Sequence, residues 1–136
     1  MNLARKLEVG SACLIIPVLL ELLPASRVLR WIERIPPHAG EHITPERLAF
    51  HVARLLRRAP FLWHDTCLRR AVVLAALLRR EGLAADVAIG VRRDANGAVA
   101  AHAWVRRHDG TPFLADEGVQ EFTELTASAV ARASAK

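Results

Sequence analysis

With 136 residues the chain has room for one domain with a sizeable core and none for two. Its composition, 52% hydrophobic and 24% charged, excludes wholesale disorder. The 19 Lys and Arg against 14 Asp and Glu leave a charge of +5, which favours anionic partners, but acids are interleaved and no run of five like charges occurs. The arginines therefore read as solvated helix faces rather than as a nucleic-acid stripe.

Two cysteines, Cys13 and Cys67, are too few for a disulfide framework, and without an export signal a cytoplasmic chain with reduced thiols is expected. The apolar run from Ala12 to Leu23 is interrupted by Pro17 and Glu21. A membrane span needs about 20 apolar residues, and no small-residue cleavage motif follows before Pro24, so no membrane span is expected and the run reads as a buried or partner-facing helix.

In chain order, residues 1 to about 35 read as a broken pair of helices, the first running through Leu3, Leu7 and Cys13 to Leu23, the second from Pro24 through Val28, Leu29, Trp31 and Ile32. Pro36 to Gly40 make a loop. Thr44 and Pro45 are an N-cap and a first helical position, and Leu48, Val52, Leu55 and Leu56 then recur at helical spacing up to Arg58, with Pro60 as the stop. Asp65 and Thr66 are a second start signal. The segment Cys67 to Arg80 that follows is apolar on most sides, the pattern of a central buried helix, with Arg79 and Arg80 at its negative end and Gly82 as its left-handed cap.

The period then changes to two. Val87, Ile89 and Val91 predict a strand, Asp94 to Gly97 a turn, and the returning strand carries Val99, Ala101, Ala103 and Val105 on one face and Ala100, His102, Trp104 and Arg106 on the other. Asp109 and Gly110 predict a further turn, and Thr111 to Ala115 a short third strand ending at Asp116, which makes the sheet an antiparallel meander. The fold class is α+β: N-terminal helices, then a central buried helix packed on a small antiparallel sheet. Residues 1–136 form a single domain, with a helical N-terminal part over 1–60, a core over 61–125 and an Ala/Ser-rich tail over 126–136 that is free to fray.

Cys67 stands where a reactive thiol is best placed. At the first turn of a helix, unpaired backbone N–H groups and the positive dipole end favour the thiolate, which is the form that attacks. An imidazole is needed to complete activation and to protonate the leaving group, and His102 lies on a strand that can face the helix. A third group fixes the ring, a role open to Asp116 once the turn at Asp109 and Gly110 folds 112–116 back along 102–107. Each residue also has a structural reading: cysteine and histidine are commonly buried, and an aspartate after an apolar pair is often a turn acid. An oxyanion hole would use the Cys67 backbone N–H and a second donor from the 61–65 loop, where Trp63 and His64 are candidates, and Trp104 shares the face of His102 and can wall the site. His64, three residues before Cys67, is a rival base, set behind His102 because His102 has the acid Asp116 downstream.

Thr66-Cys67-Leu68 opening a helix that ends in Leu77-Leu78-Arg79-Arg80-Glu81-Gly82, then Ile89-Gly90-Val91, Ala101-His102-Ala103-Trp104-Val105 and Asp116, resembles the transglutaminase-like cysteine-protease superfamily. More narrowly, the chain is similar to the stand-alone leader peptidases of lasso peptide biosynthesis, whose leucine-rich, Leu-Pro and Arg-Trp start is matched by Leu22, Leu23, Pro24, Arg30 and Trp31. The resemblance covers essentially the whole chain. It implies a transglutaminase-like (papain-like) core, with Cys67, His102 and Asp116 as nucleophile, base and orienting acid for hydrolysis of the bond between leader and core of a precursor peptide, without cofactor. It further implies a small winged-helix leader-recognition protein as partner and a lasso cyclase that uses the freed amine.

Rival readings stay open on the residues alone. The same triad can transfer an acyl group to an amine in place of water. Cys, His and Asp are all metal ligands, but the chain reads as lacking paired spacing such as Cys-x-x-Cys or His-x-x-x-His, and neither cysteine has a second thiol nearby, so no metal is expected. A non-catalytic protein-binding module would leave Cys67 an inert thiol.

Overall fold

The computed structural model describes residues 1–58, 67–114 and 123–124. Four helices precede a small sheet: α1 (Leu3–Leu22), α2 (Ala25–Ile32), α3 (Pro45–Arg58), α4 (Cys67–Arg80), β1 (Ala85–Arg93), β2 (Val99–Arg107) and β3 (Thr123–Glu124). The α+β class is as expected. Residues 59–66, with the Pro60, Asp65 and Thr66 signals, lie outside the described residues, as does the 126–136 tail.

The helix boundaries follow the local chemistry. Asn2 caps α1 by accepting the Arg5 backbone N–H at 2.9 Å, and Thr44 caps α3 by accepting that of Arg47 at 3.3 Å, each relieving one of the donors a helix start leaves unpaired. Gly82 takes φ +82° after α4, a conformation that glycine adopts without the Cβ penalty. Gly82 N–H then bonds the Arg79 carbonyl and Leu83 N–H the Leu78 carbonyl, closing the helix end.

The core is organised around α4, which is buried without interruption from Ala71 to Leu78. It packs on α1 and α3 on one side and on both long strands on the other. From the sheet come Ala85, Val87, Ile89, Ala103 and Val105, with Val87 opposite Val105 and Ile89 opposite Ala103. The apolar run in α1 is split rather than wholly buried: Cys13, Ile16 and Pro17 face the core, whereas Leu14, Ile15, Val18 and Leu22 are exposed. Among the described residues no helix is long and apolar enough to cross a membrane.

The sheet differs from the expected meander. β1 pairs with β2 on one edge and with β3 on the other, giving the order β2-β1-β3. The turn at Asp109 and Gly110 does fold the chain back onto β2, through Arg107 N–H to the Thr111 carbonyl at 2.6 Å and Phe113 N–H to the Val105 carbonyl at 3.1 Å. The described part of the 111–115 segment nevertheless makes only an isolated bridge, Arg106 to Pro112, rather than the strand expected there. Pro112 is the second residue of that segment, and its neighbours Thr111 and Phe113 supply the two backbone bonds of the bridge.

Candidate active site

Cys67 is the first residue of α4. Along α4, Cys67, Arg70, Ala71 and Leu74 follow the i, i+3, i+4, i+7 rhythm of one helix face, and all four line a cleft of about 370 Å³. The facing wall is α3, through Glu46, Ala49, Phe50 and Ala53 in the same rhythm. The floor is β2 from His102 to Val105, and Leu114 closes one end.

The β2 residues reach the cleft because β2 is an outer strand, met on its free side only by the Pro112 bridge among the described residues. His102 and Trp104 share one face of β2, as their spacing of two requires. Their rings stack, with centroids 5.9 Å apart and planes 22° from parallel. Across the ladder stand Gly90 opposite His102 and Ala88 opposite Trp104. Two small residues on β1 thus leave room for two large rings on β2, and the buried indole limits the orientations open to the imidazole.

Of the residues singled out in the sequence, Cys67, His102 and Trp104 therefore meet at one cleft. Asp116, Trp63 and His64 lie outside the described residues. The wall formed by α3 escaped the sequence reading. Its signal is the set 46, 49, 50 and 53, in which two alanines keep the helix surface low beside an exposed phenylalanine.

The two thiols are set apart by their surroundings. Cys13 is buried in the core between α1 and its neighbours, and desolvation pushes its thiol up to about 12. A thiol so placed is neutral and unreactive at physiological pH. Cys67 is partly exposed, at a helix start and on the cleft, and both cysteines are free of disulfides.

The family model described as the transglutaminase-like superfamily matches residues 12–127. No curated protein and no solved structure matches the chain.

Proposed function

The chain belongs to the transglutaminase-like superfamily, and from that membership we propose that it is a cysteine peptidase releasing the leader from a lasso peptide precursor by a Cys67, His102 and Asp116 triad. The observation that carries the reading is the shared cleft: the thiol at the tip of α4 and the imidazole of β2 line one opening large enough for an extended peptide segment.

The chemistry proceeds in two halves. The Cys67 thiolate attacks the scissile carbonyl carbon, and the Cys67 backbone N–H at the helix start favours the charge that collects on the carbonyl oxygen. His102, which carries the thiol proton, hands it to the departing amine, leaving the acyl group as a thioester on Cys67. Water, deprotonated by His102, then hydrolyses the thioester, freeing the carboxylate and restoring the thiol. Asp116 holds the imidazole in the orientation both transfers need.

Partners belong to the same reading. We assign leader capture to a separate winged-helix protein, and the exposed stripe of α1, including Leu7 and Leu22, is the surface offered to it. Replacing Leu7 and Leu22 by Asp should abolish binding of that protein without unfolding the chain, since both are exposed; binding by the folded double variant would remove the docking proposal.

The decisive experiment incubates the protein with the precursor peptide and the recognition protein and reads the products by mass spectrometry. Leader and core carrying a new carboxylate and a new amine are expected from the wild type, and none from folded Cys67→Ala. Cleavage by that variant would end the peptidase reading. Incorporation of an added amine in place of water would reassign the same cleft to acyl transfer.

A further inference from the structure

Away from the cleft, at the far end of α4, three potential metal ligands converge. His38 Nε2 stands 3.2 Å from Glu81 Oε1 and His42 Nδ1 stands 3.0 Å from Glu81 Oε2. The ligand atoms of all three lie within 4.8 Å of one another. The two histidines are four apart, a His-x-x-x-His spacing that the sequence reading took to be missing. The expectation that the chain holds no metal rested on the absence of such a pair and overlooked this one.

The hydrogen bonds around His38 supply a second observation. Its Nδ1 lies 3.1 Å from the Ala39 carbonyl oxygen, which can only accept. The neutral ring therefore carries its hydrogen on Nδ1, and Nε2 presents a lone pair to the carboxylate oxygen of Glu81. Two lone pairs face each other at that distance only with a cation between them, either a second proton or a metal ion. A ring N–H donated to a backbone carbonyl is also the usual outer contact of a metal-bound histidine, because it fixes the tautomer that ligates.

The spacing suits the metal. With bond lengths of about 2.0–2.2 Å, donors around a tetrahedral ion lie roughly 3.3 Å apart; each histidine stands at about that distance from its nearer Glu81 oxygen, and the three ligand atoms lie within 4.8 Å of one another. Glu81 is held for the task from outside: Ile43 N–H donates to Oε2 at 3.0 Å, and the buried Arg5 guanidinium pairs with Oε1. Arg5 is the charge that opposes a cation. Its own pairing with Glu8, which also takes Arg80, spreads that charge over two carboxylates. His42 is largely exposed, so an ion can enter and keep a water as its fourth ligand.

We propose that His38, His42 and Glu81 form a structural site for a dication of the zinc class, clamping the 38–43 loop to the end of α4. The test titrates zinc chloride, by calorimetry and by thermal melting, into the full chain carrying Cys67→Ala, so that the cleft thiol does not compete. One equivalent should bind and raise the melting temperature. His42→Asn in the same background keeps a side-chain N–H for Glu81 but removes the imidazole. It should leave the metal-free melting temperature within a few degrees, weaken zinc at least tenfold and erase the zinc-induced rise. Absence of saturable binding to the His42-containing protein, or equal affinity in His42→Asn, would overturn the proposal.

Discussion

The two ends of α4 are built from the same kind of helix and treated in opposite ways. At its start Cys67 lines a cleft between α3, α4 and β2. At its finish the free carbonyls are consumed: His38 N–H bonds the Arg80 carbonyl at 2.8 Å, and Gly82 and Leu83 turn back onto Arg79 and Leu78. Arg80 holds the Pro36 carbonyl and Glu8, and Arg79 holds Glu33, Ala85 and Asp86. One end of the helix brings a thiol to the cleft, and the other spends its carbonyls and arginines on joining α1, the 33–43 loop and β1. The uninterrupted apolar stretch between them, Ala71 to Leu78, lets the closed end support the position of the open one.

The comparison breaks most sharply at the thiol. Cys67→Ala should lower peptide cleavage by about a thousandfold or more, measured as product per unit time, while its urea midpoint stays near that of the wild type. At the other end the expectation reverses. Glu81→Ala leaves the buried Arg5 guanidinium with Glu8 in place of two carboxylates and removes the partner of His38, His42 and Ile43 N–H. A loss of about 3–5 kcal/mol in urea unfolding is expected, with any loss of activity following the loss of folded protein. Equal stability in that variant would show that the closed end is not the anchor.

A smaller effect separates the two cysteines. The Cys13 thiol is raised in the folded chain, so below an unfolded pKa near 9.0 both states hold the proton and the burial is without consequence. Above it the unfolded chain releases the proton and the folded chain does not, so stability falls as pH rises between about 9 and 12. By pH 10 the loss should reach roughly 1.4 kcal/mol, measured by urea unfolding at pH 8 and 10. The chain has no tyrosine to add to that loss, and Cys13→Ala should flatten it. In the same spirit, iodoacetamide at neutral pH should label Cys67 and spare Cys13 until the protein unfolds. The smallest effect belongs to the α3 wall: Phe50→Ala, at an exposed position, should change stability by less than about 0.5 kcal/mol yet raise KM several-fold. An unchanged KM would take α3 out of the substrate path.

Much of this molecule was legible in the sequence because the deciding forces are local. Caps, glycine turns and hydrophobic period depend on neighbours a few residues away, which is why α3, α4 and the β1–β2 hairpin fall where Thr44, Pro45, Gly82 and Asp94 to Gly97 put them. Cys67 and His102 were legible as candidates by residue type and element, whereas the cleft that both line needed the packing of α3, α4 and β2. The third strand was not. The turn after β2 suggested a meander, but the 111–114 residues make a single bridge to β2 and a distant segment, Thr123–Glu124, lies beside β1.

By itself, then, the sequence determined the helices, the hairpin, the class of the fold and the thiol worth watching, since each rests on short-range pattern. Only the tertiary structure decided that α3 walls the cleft, that half the apolar run of α1 faces solvent, and that Glu81 gathers Arg5, His38 and His42 from segments up to 76 positions away. Such groupings depend on how elements pack, and no local period records which charged side chain will find its partner once the core has closed around it.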